Sequence, residues 1–342
     1  MSFSGILGHE RQTAILKRNI VTGQLPPAYL FHGEEGVGKR LAAVHLARAL
    51  NCTGEREPGD SCGVCQNCRN IESGCHPNIS MLTLVPNPDT GKMRQEIVIA
   101  QVRAAQDFLS LKAVGDGGKV LIVDDAHLLN TEAMNALLKT LEEPPDRTHV
   151  VLVTSRPNSL LPTILSRCRA ISFQPLNEEL VAGLLVREKG MAGGDASFVA
   201  RMTGGRVGAA LAADPSDLST RRGGFLDTIG SLPEKGYADV LKAAEEAAKD
   251  EGMLGDLVFF GTLWFRDLLL ILVGGDAGLA YNKDLDDELM RWAETVTPNR
   301  CEEALVLLRE AGRALERTYN RRLLAEDLFF RLREEARALP VH

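Results

Sequence analysis

The sequence has no excess of positive charge and no long uninterrupted apolar run. Its 39 lysines and arginines are outnumbered by 46 aspartates and glutamates, which gives a formal net charge of −7. A chain of this charge is not, as a whole, an electrostatic match for a nucleic-acid backbone. The most apolar stretch, 257–273, is interrupted by Arg266 and Asp267. We therefore expect a buried helix there rather than a membrane span.

The start of the chain also lacks a basic segment followed by an apolar run, which is the pattern of an export signal. We therefore expect a cytoplasmic protein. The hydrophobic and charged fractions, 44% and 25%, are those of a folded globular protein and exclude a disordered or collagen-like chain. A length of 342 residues predicts two or three domains.

Cysteine is scarce outside one crowded segment. Four of the seven cysteines form a C-x9-C-x2-C-x2-C pattern at Cys52, Cys62, Cys65 and Cys68. In a cytosolic protein, thiols crowded in this way indicate a metal rather than disulfides. Four thiolates fill every vertex of a tetrahedral zinc ion, so we expect a structural zinc site. An iron–sulfur cluster is the alternative for the same four ligands.

A glycine-rich loop follows a short apolar segment near the start of the chain. It matches the phosphate-binding pattern G-x-x-x-x-G-K-[ST] except at the last position. The residues of interest are Gly33, Gly36, Gly38, Lys39 and Arg40. In such loops backbone N–H groups surround the phosphates, the lysine reaches the terminal phosphates, and the Ser or Thr hydroxyl ligates magnesium. Arg40 has donors but no acceptor, so it can supply charge but cannot ligate a cation.

The segments on either side of this loop have the periodicity that a phosphate-binding loop requires. Residues 27–32 are those of a short buried strand, and residues 41–50 carry apolar side chains at helical spacing. A helix that begins at the loop adds its partial positive charge to an anion site. An ordinary glycine turn between a strand and a helix is the alternative.

A second apolar strand, 119–123, ends in Asp124 and Asp125. In proteins with a phosphate-binding loop, the first acid at this place holds magnesium and the second orients the attacking water. Asp125 is one methylene shorter than the glutamate usual there. Two acids that simply cap the next helix are the alternative interpretation.

Helical and strand patterns continue to alternate beyond these acids. A helix begins near Asn130 and is stopped by the prolines at 144–145, and a further apolar strand covers 149–154. This alternation predicts an α/β fold with a parallel sheet and helices on both faces.

Two further segments make the whole pattern specific. They are NALLKTLEEPP at 135–145 and TILSRC at 163–168. Together with the loop and the four cysteines, they resemble the DNA polymerase III clamp-loader subunits of bacteria, which belong to the AAA+ superfamily. The resemblance is strongest over roughly 5–212 and continues more weakly to the segment YNRRLL at 319–324.

The resemblance implies an arrangement of domains. An AAA+ α/β domain is expected at 1–173 with an inserted zinc module at 52–75, followed by a helical lid at 174–212 and a helical collar domain at 213–342. The collar is the part that joins the subunits of the family into a five-membered ring.

The resemblance also implies a role for Ser166 and Arg167. In the family, the arginine of the Ser-Arg-Cys segment is an arginine finger that is presented to ATP bound by the neighbouring subunit. The implied partners are the gamma/tau and delta subunits, and through the ring the sliding clamp and primed template DNA. An ordinary surface ion pair is the alternative interpretation of Arg167.

Three positions depart from the ATP-hydrolysing gamma/tau branch of the family. Arg40 replaces the Ser or Thr of the loop, Asp125 replaces the glutamate, and Gly208 falls where that branch has a sensor arginine. These departures resemble the delta-prime branch, which supplies the finger but generally does not hydrolyse ATP. We therefore expect a delta-prime-like clamp-loader subunit with structural zinc.

Three alternatives stay open on the sequence alone. They are an ATP-hydrolysing gamma/tau-like motor subunit, another AAA+ ATPase, and a DNA-binding module built on the cysteine cluster. Binding of ATP or ADP by the degenerate loop is likewise undecided.

Overall fold

The computed structural model describes residues 3–87, 90–315 and 320–336, apart from the side chains of Ser4 and Glu251. The chain divides into two compact units, residues 1–212 and residues 213–342. The first unit contains a β-sheet covered by helices, and the described part of the second is helical.

A five-stranded sheet forms the centre of the first unit, and all its neighbouring strands are parallel. The strands are β1 (Ala28–His32), β2 (Ile79–Leu82), β3 (Lys119–Val123), β4 (Thr148–Thr154) and β5 (Arg169–Ser172). Their order across the sheet is β2-β3-β4-β1-β5. The strands are nearly continuous apolar runs because both faces of the sheet are covered.

The described residues of the first unit form nine α-helices. They are α1 (Glu10–Val21), α2 (Lys39–Asn51), α3 (Gln66–Glu72), α4 (Ile99–Ser110), α5 (Thr131–Glu142), α6 (Pro162–Leu165), α7 (Glu178–Lys189), α8 (Gly193–Met202) and α9 (Val207–Ala212). The predicted α/β fold with a parallel sheet is confirmed.

The sheet has a separate apolar core on each face. Side chains alternate along β3, so that Leu121 packs with α4 and α5 on one face, while Ile122 packs with α1 and α2 on the other. Helix α5 begins where the sequence predicts, because the Asn130 side chain accepts the backbone N–H of Ala133 at 2.9 Å.

The second unit is built from six α-helices in its described residues. They are α10 (Pro215–Ser231), α11 (Tyr237–Lys249), α12 (Glu251–Leu272), α13 (Asp286–Ala293), α14 (Pro298–Leu315) and α15 (Arg321–Glu335). The predicted buried helix is α12, and it packs against α14. Across the described ranges, no helix combines the length and the apolar composition needed to cross a membrane. Tyr319 lies outside the described residues.

Candidate functional site

The phosphate-binding loop lies at the carboxyl end of β1, and α2 begins at its lysine. Gly33, Gly36 and Gly38 have φ angles of 141°, 78° and 101°, a region that side chains rarely adopt. At Gly33 a side chain is also excluded by space, because an added Cβ would lie 2.0 Å from the carbonyl oxygen of Phe173. The predicted strand, loop and helix are therefore present, with glycine where the turn requires it.

Lys39 points into its own loop. Its side chain is buried, and its Nζ donates to the carbonyl oxygen of Gly33 at 2.7 Å and to that of Glu34. Burial lowers the pKa of Lys39, and the carboxylates of Asp125 and Glu35 oppose this shift. The ammonium thus binds two acceptors of the loop, and these contacts hold the loop closed around it.

Arg40 pairs with Asp124, the first of the two acids that follow β3. Its Nε lies 3.5 Å from Oδ2 of Asp124, which is largely buried at the end of β3. Burial and the neighbouring charge of Asp125 raise the pKa of Asp124, while Arg40 lowers it.

A magnesium ion is the group that this fold implies between the loop and Asp124. Magnesium demands oxygen ligands in near-octahedral geometry. The loop position that should supply a hydroxyl oxygen carries a guanidinium, which only donates and is itself positive. The residues present therefore do not fit a magnesium ion.

Two residues that the sequence analysis did not single out complete this edge of the sheet. Thr154 is the last residue of β4, which lies between β3 and β1. Its Oγ1 lies 3.3 Å from Nδ1 of His127, a histidine whose pKa is lowered by burial. The signal in the sequence was the position of Thr154 at the carboxyl end of a parallel strand, where ligand-contacting side chains of such sheets gather.

Gly208 lies directly against the loop. Its backbone N–H donates to the carbonyl oxygen of Gly36 at 2.7 Å, and a Cβ added to Gly208 would lie 3.1 Å from the Cα of Gly36. The start of α9 therefore packs on the loop by backbone contact. No side chain extends from this position toward phosphates, in contrast to the arginine that the resemblance implies for the hydrolysing branch.

The four cysteines of the sequence pattern come together. The Sγ atoms of Cys52, Cys62, Cys65 and Cys68 all lie within 4.8 Å of one another, and those of Cys52 and Cys65 are 3.9 Å apart. A tetrahedral zinc ion with Zn–S bonds of about 2.3 Å places its sulfurs about 3.8 Å apart. The cluster therefore fits zinc, as the sequence analysis expected.

Backbone N–H groups favour the thiolate at Cys62 and Cys65, whereas burial raises the pKa of Cys68. The N–H groups of Val64 and Cys65 lower the pKa of Cys62. Burial alone would raise the pKa of Cys65, but the N–H groups of Cys68 and Thr53 are among the donors that bring it to about 5. Thiolates are the form that binds a metal.

The loop that precedes Cys62 is anchored on α1 by Asp60, which the sequence analysis also missed. The buried Asp60 carboxylate accepts from the backbone N–H of Phe3 at 2.8 Å and lies 2.7 Å from Nζ of Lys17. At the adjacent Gly59, φ is 76° and an added Cβ would lie 2.5 Å from the carbonyl oxygen of Lys17. The cysteine segment is thus docked on the body of the first unit.

Arg167 lies in the turn between α6 and β5, and 35% of its side chain is exposed. Its Nη2 is 2.6 Å from Oε1 of Glu142. Its Nη1 donates to the carbonyl oxygen of Thr163 at 3.0 Å and to Oγ of Ser166 at 3.4 Å. The guanidinium is therefore ordered but accessible.

Arg167 and the loop lie at opposite ends of the strands: Arg167 at the amino end of β5 and the loop at the carboxyl end of β1. Tyr29 of β1 pairs with Arg169 at the start of β5, so Arg167 precedes the strands, whereas the loop follows His32. The five residues of β1 span about 16 Å at the usual rise of a strand. Arg167 therefore cannot reach phosphates bound by its own loop.

A closed phosphate-binding loop, an acid pair two strands away and a five-stranded parallel sheet define a P-loop protein of the AAA+ class. A family model described as "DNA polymerase III, delta subunit" matches residues 8–177. The chain is 31% identical over 332 residues to the DNA polymerase III subunit delta' of Bacillus subtilis (strain 168), which covers 95% of this chain and 96% of that protein. The chain belongs to the family of DNA polymerase III delta-prime clamp-loader subunits.

The chain is also similar to two further proteins. The DNA polymerase III subunit tau of the same bacterium is 26% identical over 352 residues, which are 95% of this chain and 60% of that protein. A solved structure of a DNA polymerase III gamma subunit-related protein from Thermotoga maritima is 20% identical and covers 95% of this chain and 100% of that one, with a TM-score of 0.43. The resemblance drawn from the sequence motifs is confirmed.

Proposed function

We propose that this protein is the delta-prime-type subunit of a clamp-loader ring and that it presents Arg167 to ATP bound by a neighbouring gamma/tau subunit. The observation that carries this proposal is the place of Arg167. It is ordered and accessible at the end of the strands opposite its own loop. We therefore infer that the phosphates that it serves belong to another chain. There it would stabilise the charge that develops on the transferred phosphoryl group.

The chain's own loop is not expected to hydrolyse ATP. Arg40 stands where a magnesium ligand is required and pairs with Asp124. Asp125 is shorter than the usual water-orienting glutamate, and Gly208 offers no side chain to a phosphate. Three catalytic elements are missing together, so we assign the chain a role in completing another subunit's active site.

The remaining assignments follow from the same role. We propose that residues 174–212 act as the lid, that residues 213–342 form the collar of a five-subunit ring with gamma/tau and delta subunits, and that the ring places a sliding clamp on primed template DNA. Zinc at the four cysteines would hold the inserted segment in shape. It would have no part in catalysis, since four thiolates leave no open coordination position.

A gamma/tau-like motor subunit is the second candidate function, because Lys39 and the three loop glycines are retained. ATP turnover by the purified chain separates the two. We expect no magnesium-dependent hydrolysis above background, with or without Lys39→Ala. Hydrolysis that Lys39→Ala abolishes would contradict the proposal and assign the chain to the motor branch.

A further inference from the structure

Glu142 holds the Arg167 guanidinium from outside the turn that carries it. Thr163 and Ser166, the other two acceptors, lie within four residues of Arg167. Glu142 comes from a different element, since it is the last residue of α5. Of these contacts, this ion pair is the one that fixes the finger relative to the sheet and not merely relative to its own turn.

The helix that carries Glu142 is rigidly placed. Leu137 and Leu141 of α5 are buried in the apolar core against the sheet. Pro144 and Pro145 follow after Glu143 and cannot continue the helix. The Glu142 backbone is therefore fixed by packing that does not involve Arg167, which makes its carboxylate a stable point of attachment.

The pair contributes little to the stability of the fold. About half of the Glu142 side chain is exposed, and ion pairs at such positions add little free energy of folding. Arginine has many rotamers, and a finger that is disordered before the reaction must be ordered during it. A contact that orders the guanidinium in advance lowers that cost at the moment when phosphate charge develops.

We propose that Glu142 is a positioning residue for Arg167, which keeps the guanidinium extended and correctly aimed before the neighbouring subunit's ATP reaches it. This inference rests on the proposed function of Arg167. The requirement is for a hydrogen-bond acceptor at this place. A negative charge would itself oppose the approach of a phosphate, so a neutral acceptor of the same shape serves equally well.

The test is ATP turnover by the ring reconstituted from this chain with the gamma/tau and delta subunits of the same organism. Glu142→Ala should lower kcat about tenfold at the site that faces this subunit, or about 1.4 kcal/mol in the barrier, with KM for ATP unchanged. Glu142→Gln keeps an oxygen acceptor and should stay within about twofold of the unchanged ring. Glu143→Ala is the matched control, because Glu143 is the adjacent exposed glutamate.

The outcomes are distinguishable. If Arg167→Ala stops turnover at the site that faces this subunit and Glu142→Ala does not slow it, the positioning role is wrong and the proposed function stands. If Arg167→Ala leaves turnover unchanged, the proposed function fails, and the positioning role fails with it. A Glu142→Gln ring as slow as the Glu142→Ala ring would contradict the proposal that an acceptor alone is required. A Glu142→Ala chain that melts earlier or no longer assembles would identify a structural contact instead.

Discussion

His45 is a fully buried histidine on α2, and neither of its ring nitrogens has a hydrogen-bond partner among the described residues. It packs beside the ring of Phe3, with 5.9 Å between ring centroids. Burial, with a smaller contribution from the Arg48 charge, lowers the pKa of His45 to about 4. The folded chain therefore keeps this histidine neutral where an unfolded chain would protonate it.

This predicts acid sensitivity that a single substitution relieves. The pKa of His45 is lower in the folded chain than in the unfolded chain. The contribution of neutral His45 to the free energy of unfolding is therefore fully present above about pH 6.5 and is lost as the pH is lowered toward 4. The full effect is about 3 kcal/mol. His45→Leu should remove it, so the difference in free energy of unfolding between variant and parent should grow in the variant's favour between pH 7.5 and 4.5. Parallel loss of stability in both chains would show that His45 does not titrate on unfolding.

For single residues, the sequence predicts what a side chain can do chemically better than it predicts which other residue that side chain contacts. That Arg40 cannot ligate magnesium follows from its side chain alone. That its guanidinium lies on Asp124, or that Asp60 anchors the cysteine loop to α1, depends on the tertiary packing of segments far apart in the chain. No local pattern marks those partners in advance.

Helix α9 contacts the phosphate-binding loop through backbone atoms, and Gly208 makes that contact possible. A Cβ at this position would lie 3.1 Å from Cα and 3.2 Å from the carbonyl oxygen of Gly36. Gly183, on α7, is an exposed helical glycine with nothing within 4 Å of an added Cβ. The two glycines are therefore a matched pair.

We expect Gly208→Ala to destabilise the first unit and Gly183→Ala to stabilise it slightly. Crowding at the loop should cost about 1–3 kcal/mol, whereas alanine at an unobstructed helical site gains about 0.4–1 kcal/mol. Thermal unfolding of the two variants measures both effects. Equal melting temperatures would mean that α9 does not rest on the loop in solution.

The cysteine segment gives the second prediction for an element. Cys62→Ser should lose bound zinc, whereas Cys75→Ser should keep it, because Cys75 lies outside the cluster. Metal analysis of the two purified variants checks this. An equal zinc content in both variants would mean that the four-cysteine cluster is not the zinc site.

Chelation should then loosen the segment that zinc crosslinks. Hydrogen exchange should become faster over 52–75 and in α1 near Lys17, where Asp60 and Gly59 dock. Exchange in the second unit should be unchanged. A general loss of protection in both units would mean that zinc supports the whole fold.

Most of these elements could be predicted because their signals are local. The loop, the acids after β3 and the cap of α5 each follow from a few adjacent residues. The contact between α9 and the loop could not be predicted, since it joins residues 36 and 208 through backbone atoms and leaves no trace in side-chain pattern.

For the molecule as a whole, the sequence leads to the α/β unit, the helical second unit and the family. The interaction that we propose as the basis of its function lies between subunits. Arg167 belongs to the structure of this chain and also to the proposed interaction between subunits. It is ordered on this chain, and by the proposal its effect is seen only on another chain's ATP.

The most direct measurement is therefore ATP turnover by the reconstituted ring with Arg167→Ala in this subunit. Arg169→Ala, a change of an exposed arginine two residues away, is the matched control. An arginine finger contributes roughly 1,000-fold or more to turnover at the site that it serves. We predict that turnover at the site facing this subunit is lost in the first variant and kept in the second, with assembly intact in both. Unchanged turnover in an assembled Arg167→Ala ring would contradict the account.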